Sequence, residues 1–218
     1  MDQSTDQLVI ERLGLIDYAE AWTLQKKQVL SRQSNETQDT LNLCEHNHVY
    51  TFGKSADQNN LLISDAFLAS INAQKYQIER GGDITYHGPG QLVGYPILNL
   101  HDLQMGVKKY VDLLEQSIIS TLSTYDIHTK RIEGITGIWL VDGPPRKIGA
   151  IGIKVSRGIT MHGFALNVNT DLTYFNHIIP CGIADKSVTS MKQELGLDVD
   201  MHELQDRYVN TFKDLFFS

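Results

Sequence analysis

Two hydrophobic rhythms run along the chain. Residues 9–12 read as a short strand, and residues 19–30 have helical spacing anchored by Trp22, Val29 and Leu30. Residues 41–44 and 48–52 are extended, with alternating or β-branched character. Ser64 opens a helix with Asp65 in its first turn and Phe67, Leu68 and Ile71 on one face. The clearest helical period spans 107–122, where Val111, Leu114, Ile118 and Leu122 recur at steps of three and four. After it, residues 137–141, 148–155 and 159–168 form short β-branched runs cut by glycine and proline, the pattern of antiparallel strands. Two helices, 188–195 and 201–216, close the chain. Helices before and after a mixed, largely antiparallel sheet give an α+β class rather than a doubly wound one.

Composition narrows the reading. In 218 residues there is no fixed-period repeat and no linker rich in Pro, Gly or Ser, so residues 1–218 are expected to form a single domain. The chain is 41% hydrophobic and 21% charged, which excludes a disordered or fibrous chain. No apolar run approaches the roughly 20 residues of a membrane span, and the polar, non-basic first seven residues match no targeting signal. Cys44 and Cys181 are too few for a disulfide framework, so a cytoplasmic, reducing location is expected. Twenty-six acidic against 19 basic residues, net −7, disfavour nucleic acid and anionic lipid as partners. Residues 130–157 run the other way, with Lys130, Arg131, Arg146, Lys147, Lys154 and Arg157 against Glu133 and Asp142. By composition alone these are solvated surface charges.

Candidate chemistry concentrates in two places. Arg80-Gly81-Gly82-Asp83-Ile84-Thr85-Tyr86-His87-Gly88-Pro89-Gly90-Gln91 is either a loop exposing backbone N–H groups to a ligand or a long turn between strands at 77–79 and 92–98. Its spacing fits neither the P-loop nor the dinucleotide fingerprint, which excludes both. Cys181 stands between Pro180 and Gly182, at a turn, where a thiol is accessible; Cys44 sits in an apolar strand as a small hydrophobe. A thiol with an ordinary pKa of about 8.5 needs a cation or base beside it, and Lys147, Lys154, Lys186, His87 and His162 are all candidates. Alternating Cys44, His46 and His48 form a possible ligand set on one strand face, but no second cluster of zinc spacing completes it, so no metal is expected.

Four blocks in order carry a resemblance: residues 80–91, Lys147-Ile-Gly-Ala-Ile-Gly152, His162-Gly-Phe-Ala-Leu-Asn167 and Pro180-Cys-Gly-Ile183, with Glu45 to Thr51 adding to them. Over roughly residues 40–195 the chain closely resembles the lipoyl(octanoyl) transferases, the octanoyl-acyl-carrier-protein–protein N-octanoyltransferases. The resemblance implies a fold related to the catalytic domains of lipoate and biotin protein ligases, and a ping-pong acyl transfer that needs no cofactor. It makes Cys181 the nucleophile and Lys147 its partner. It lines the octanoyl pocket with Arg80, Gly81, Gly82, Asp83, Ile84, Thr85, Tyr86, His87, Ala150, Ile151, Gly152, Gly163, Phe164 and Ala165, with His162 in support. N–H groups near Gly152 and Gly163 become candidate oxyanion donors.

The implied donor is octanoyl-acyl carrier protein. The implied acceptors are lipoyl domains of 2-oxoacid dehydrogenase E2 subunits and the glycine cleavage H protein, served by a monomer. The basic stretch 130–157 would then steer the acidic carrier. An ATP-dependent lipoate ligase and a lipoyl amidotransferase are the alternatives; the ligase needs no thiol–amine pair, whereas the amidotransferase also uses a cysteine. Asp83, Gly149 and the Gly143-Pro144-Pro145 turn depart slightly from the family pattern.

Overall fold

A computed structural model describes residues 8–179 and 187–218. Cys181, with the rest of 180–186, lies outside the described residues.

Among the described residues, eight strands form the main sheet. In spatial order they are β1 (Leu8–Ile16), β2 (Asp39–His46), β6 (Gln91–Ile97), β10 (Ile159–Asn167), β9 (Arg146–Ser156), β8 (Ile135–Leu140) and β7 (Lys130–Ile132), with β11 (Ser187–Val188) beside β9. Neighbours are antiparallel except for the parallel pairs β1–β2 and β11–β9, as a mixed, largely antiparallel α+β sheet requires. A smaller sheet orders β4 (Gln74–Gln77), β3 (Val49–Phe52) and β5 (Ile84–His87).

The long helices form where the period places them. In α3 (Val107–Ser123) the buried face is Tyr110, Leu114, Ser117, Ile118, Thr121 and Leu122, with Val111 only half-buried at its border. In α5 (Met201–Phe216) it is Leu204, Tyr208, Val209, Phe212 and Phe216, and Asp200 caps the first turn through the His202 and Glu203 N–H groups. These faces join Leu41, Leu43, Leu92, Phe164 and Leu166 in one core. The opposite side carries α1 (Tyr18–Gln33), whose Ala21 packs with Cys44, Val93, Tyr95 and Ala165. Among the described residues no helix is long and apolar enough to cross a membrane.

Three expectations need correction. The helix at 188–195 begins only at Met191, as α4 (Met191–Leu195): Ser190 caps it, and β-branched Val188 pairs with Lys147 as a strand instead. In α2 (Asp65–Ser70) only Leu68 is buried, and Phe67 is 44% exposed against the His177 ring. The glycine-rich stretch is not one turn, because it contains β5. Its Gly88-Pro89-Gly90 corner is a structural joint: Gly90 takes φ +77°, and a Cβ there would stand 2.7 Å from the Asn169 carbonyl. Glu45 accepts a hydrogen bond from the Gly90 N–H at 2.6 Å and holds the corner down.

Candidate active site

Strand β9 builds the site. Its pairing with β8 slips one residue between Ile138↔Gly149 and Trp139↔Lys147. Past that slip, Ile148, Ile151, Ile153 and Val155 all join the helix-side core. Lys147 lies on the other side of β9, lining a cavity with Ala150 and Gly152. Where β10 ends its pairing at Leu166↔Gly149, β11 takes over, so the Lys147 backbone lies between Trp139 and Val188. The Thr189 N–H also donates to the Lys147 carbonyl at 2.9 Å.

The cavity is open to solvent and spans about 1030 Å³ with its mouth counted. Exposed Gly82 and Ser187 mark its opening, and buried Tyr18, His87, Val93 and Tyr95 close it. Ile178, Ser187 and Val188, which flank residues 180–186 in the sequence, all line it. Of the expected residues, Lys147, Arg80, Gly82, Asp83, Ile84, Thr85, His87, Ala150, Ile151, Gly152, His162, Gly163, Phe164 and Ala165 are brought together around it.

Gly81 and Tyr86 do not line the cavity. The Gly81 N–H is used on the Ile153 carbonyl. Tyr86 alternates away from His87 on β5 and packs in the aromatic cluster of Tyr50, Tyr174 and Phe175, with its hydroxyl on His48 Nδ1 at 2.7 Å. Phe164 borders the cavity while its ring packs on Tyr208 of α5.

The candidate oxyanion donors near Gly152 and Gly163 line the cavity at a distance from Lys147. Gly152 pairs with Gly163, five residues along β9 from Lys147, which is roughly 16 Å at about 3.3 Å per residue. Those glycines instead clear the far end. A Cβ on Gly152 would stand 2.8 Å from Arg80 Cδ, and one on Gly163 would stand 2.1 Å from the Gly94 carbonyl oxygen. Arg80 covers Gly152 with its stem, while its guanidinium clamps the Thr51 carbonyl (2.6 Å) and hydroxyl (3.0 Å) of β3.

Three buried imidazoles surround the closed end. Gln91 gives its amide nitrogen to Asn167 Oδ1 and the Tyr86 carbonyl, so its Oε1 accepts from His87 Nδ1–H at 2.8 Å. His87 is therefore the Nδ1–H tautomer, and burial lowers its pKa to about 3. His46 donates Nδ1–H to the Ile16 carbonyl and accepts from the Tyr95 hydroxyl at Nε2, and burial lowers it to about 4. Both His46 nitrogens are thus engaged by protein, and His48 turns to Tyr86, so the alternating Cys44, His46 and His48 do not converge on a metal. His162 is held at φ +59°, and its pKa too is lowered by burial. Glu79 stands beside it (3.9 Å) and beside Lys154 (3.3 Å), and those neighbours hold its carboxylate at about 2.

The stretch 130–157 is not an unopposed positive face. Arg146 pairs with Glu194 and Asp142, Lys154 with Glu79, and Arg131 with Glu115. Sequence reading missed Tyr18, Tyr95, Trp139 and Phe175 as lining residues. No local signal marks them, because each reaches the cavity through strand register or long-range packing.

The model of the lipoyl protein ligase A/B catalytic domain matches residues 17–213. The octanoyltransferase of Cytophaga hutchinsonii is 48% identical, over 99% of this chain and 96% of its own length. That of Bacteroides thetaiotaomicron is 51% identical, over 89% and 88%. Among solved structures, a bipartite lipoate protein ligase from Thermoplasma acidophilum is 15% identical and superimposes with a TM-score of 0.74, over 95% of this chain and 84% of its own. A biotin protein ligase from Aquifex aeolicus is 13% identical, with a TM-score of 0.54 over 97% and 70%. At these identities the solved structures speak for the fold alone.

Proposed function

From the premise that this chain belongs to the lipoyl protein ligase A/B catalytic-domain family, we propose that it is an octanoyltransferase, acting as one catalytic domain. It moves an octanoyl group from acyl carrier protein to a lysine of a lipoyl domain, through a thioester on Cys181. The near-half identity to octanoyltransferases along almost the whole chain is the observation that carries this reading. The cavity supports it, with apolar walls from Ile84, Val93 and Ile178 and with Lys147 where they meet strand β11. Burying seven apolar carbons of the acyl chain contributes on the order of 5 kcal/mol to binding.

The chemistry follows from the groups. The Cys181 thiolate adds to the donor's thioester carbonyl and the carrier thiolate leaves, taking up a proton. One thioester replaces another, so the step is close to thermoneutral. The acceptor's ε-amine then attacks the acyl-enzyme, loses a proton and expels the Cys181 thiolate; amide formation drives this step. Lys147 as ammonium favours the thiolate, and as neutral amine it takes the proton from the incoming nucleophile. Ile178 and Val188, on either side of Cys181 in the sequence, both line the cavity, and Val188 pairs with Lys147.

The test separates this reading from its two alternatives. Apo lipoyl domain is incubated with enzyme and one of three donors: octanoyl-acyl carrier protein, free octanoate with ATP, or an octanoylated lipoyl domain. Transfer from the carrier protein without ATP is expected. Transfer only from octanoate with ATP identifies a ligase, and transfer only from the modified domain identifies an amidotransferase.

A further inference from the structure

Gly137 has an unusual place in β8. Its φ is +130°, and it lies outside the paired positions of β8 with either neighbouring strand. A Cβ built on it would stand 2.5 Å from Lys147 Cε, 3.1 Å from Lys147 Nζ and 2.9 Å from the Gly149 carbonyl oxygen. The end of the lysine side chain therefore lies directly over the glycine. Two residues on, Trp139 holds its ring 5.3 Å from the same Nζ.

The glycine is fixed from the other side. Its N–H donates to Glu115 Oε1 at 2.9 Å, a side-chain acceptor where the paired positions of β8 offer it none. Glu115 projects from the otherwise mostly apolar buried face of α3, and its side chain is only 6% exposed. A buried carboxylate is costly unless it is paired and hydrogen-bonded. Its second oxygen accepts from Arg131 Nε at 2.9 Å, and Arg131 is itself tied to the Asp112 carbonyl at 2.5 Å. A helix thus commits a buried charge to one backbone N–H beneath the lysine.

We infer that Gly137 and Glu115 are positioning residues for octanoyl transfer: together they form the seat that sets where the Lys147 amine stands in the cavity. The inference rests on Lys147 acting in the transfer. Of the atoms a methyl group at Gly137 would strike, Lys147 Cε and Nζ end a flexible side chain whereas the Gly149 carbonyl oxygen belongs to the sheet, so the substitution displaces the amine before it displaces the sheet.

Gly137→Ala should lower kcat on the order of 100-fold, the cost of a misplacement near 1 Å, with KM for octanoyl-acyl carrier protein little changed. The Lys147 resonance in protein labelled with 13Cε-lysine should move in the same variant. Because the positive φ makes Gly137→Ala a risk to folding, Glu115→Gln and Glu115→Ala carry the test independently. Glutamine keeps an acceptor for the Gly137 N–H and should retain kcat, whereas alanine removes it and should repeat the loss, again at unchanged KM. A purely structural role would lower the unfolding midpoint of these variants without moving the Lys147 resonance or kcat per folded molecule, and that result overturns the inference. Lys147→Ala is the control for the reading beneath it. If Lys147→Ala transfers normally, that reading fails; if it is inactive while Gly137→Ala and Glu115→Ala match wild type, the positioning inference alone fails.

Discussion

Lys147→Ala should lower the rate of octanoyl transfer about 1000-fold, in the middle of the range that a positioned proton-transfer group contributes. The side chain is half-buried on a wall of the cavity, its backbone is fixed between Trp139 and Val188, and its amine end is seated over Gly137. Removing it takes away both the charge that favours a thiolate and the base for the incoming amine. Fold and binding should survive, because Ile84, Val93 and Ile178 of the apolar walls come from other parts of the chain and Lys147 adds no core residue. Lys147→Arg should not rescue the rate: a guanidinium stays charged at neutral pH and cannot accept the proton. Single-turnover transfer from octanoyl-acyl carrier protein measures this. A loss smaller than about tenfold would remove Lys147 from the proposed chemistry.

Acid should destabilise the fold by about 4 kcal/mol between pH 8 and pH 5, through two histidines. His46 and His87, with ring centroids 6.1 Å apart, are held neutral at about 4 and about 3, against 6.5 for an ordinary imidazole. The sign follows from proton counts. Below pH 6.5 the unfolded chain protonates both rings while the folded chain protonates neither, so falling pH favours unfolding. Each ring contributes about 2 kcal/mol at pH 5. Glu79, held at about 2, acts in a lower window: its stabilisation is complete above 4.5 and is lost only as pH falls toward 2. Urea unfolding at pH 8 and pH 5 measures the difference, and His87→Gln should remove about half of it. Equal stability at the two pH values would mean that the imidazoles are not held neutral by burial.

The helices were the most legible part of the fold. Helices α3 and α5 pack through runs such as Leu114, Ile118 and Leu122, whose spacing is local and repeats over four turns. Strand β5 was hidden because Gly81-Gly82 and Gly88-Pro89-Gly90 surround four residues with turn signals, and its pairing with β3 is a distant choice. Val188 read as the start of a helix because its strand partner, Lys147, lies 41 residues away in the sequence. The site divides in the same way. Motif blocks carried Lys147, His87 and the β9 and β10 glycines, whereas Tyr18 reaches the cavity by stacking on His87, and Trp139 by the slipped β8–β9 register. Tyr86 and the basic stretch misled for one reason: residue type does not tell which face of β5 a ring takes, or that Glu194 and Glu79 meet Arg146 and Lys154.

The acyl-enzyme is the central claim, and intact-protein mass tests it most directly. Wild type and Cys181→Ser are incubated with octanoyl-acyl carrier protein in the absence of ATP. The account predicts a single octanoyl adduct on wild type alone, released by hydroxylamine and discharged by apo lipoyl domain. No adduct on wild type under these conditions, with octanoylation of the lipoyl domain only once octanoate and ATP are supplied, would contradict it.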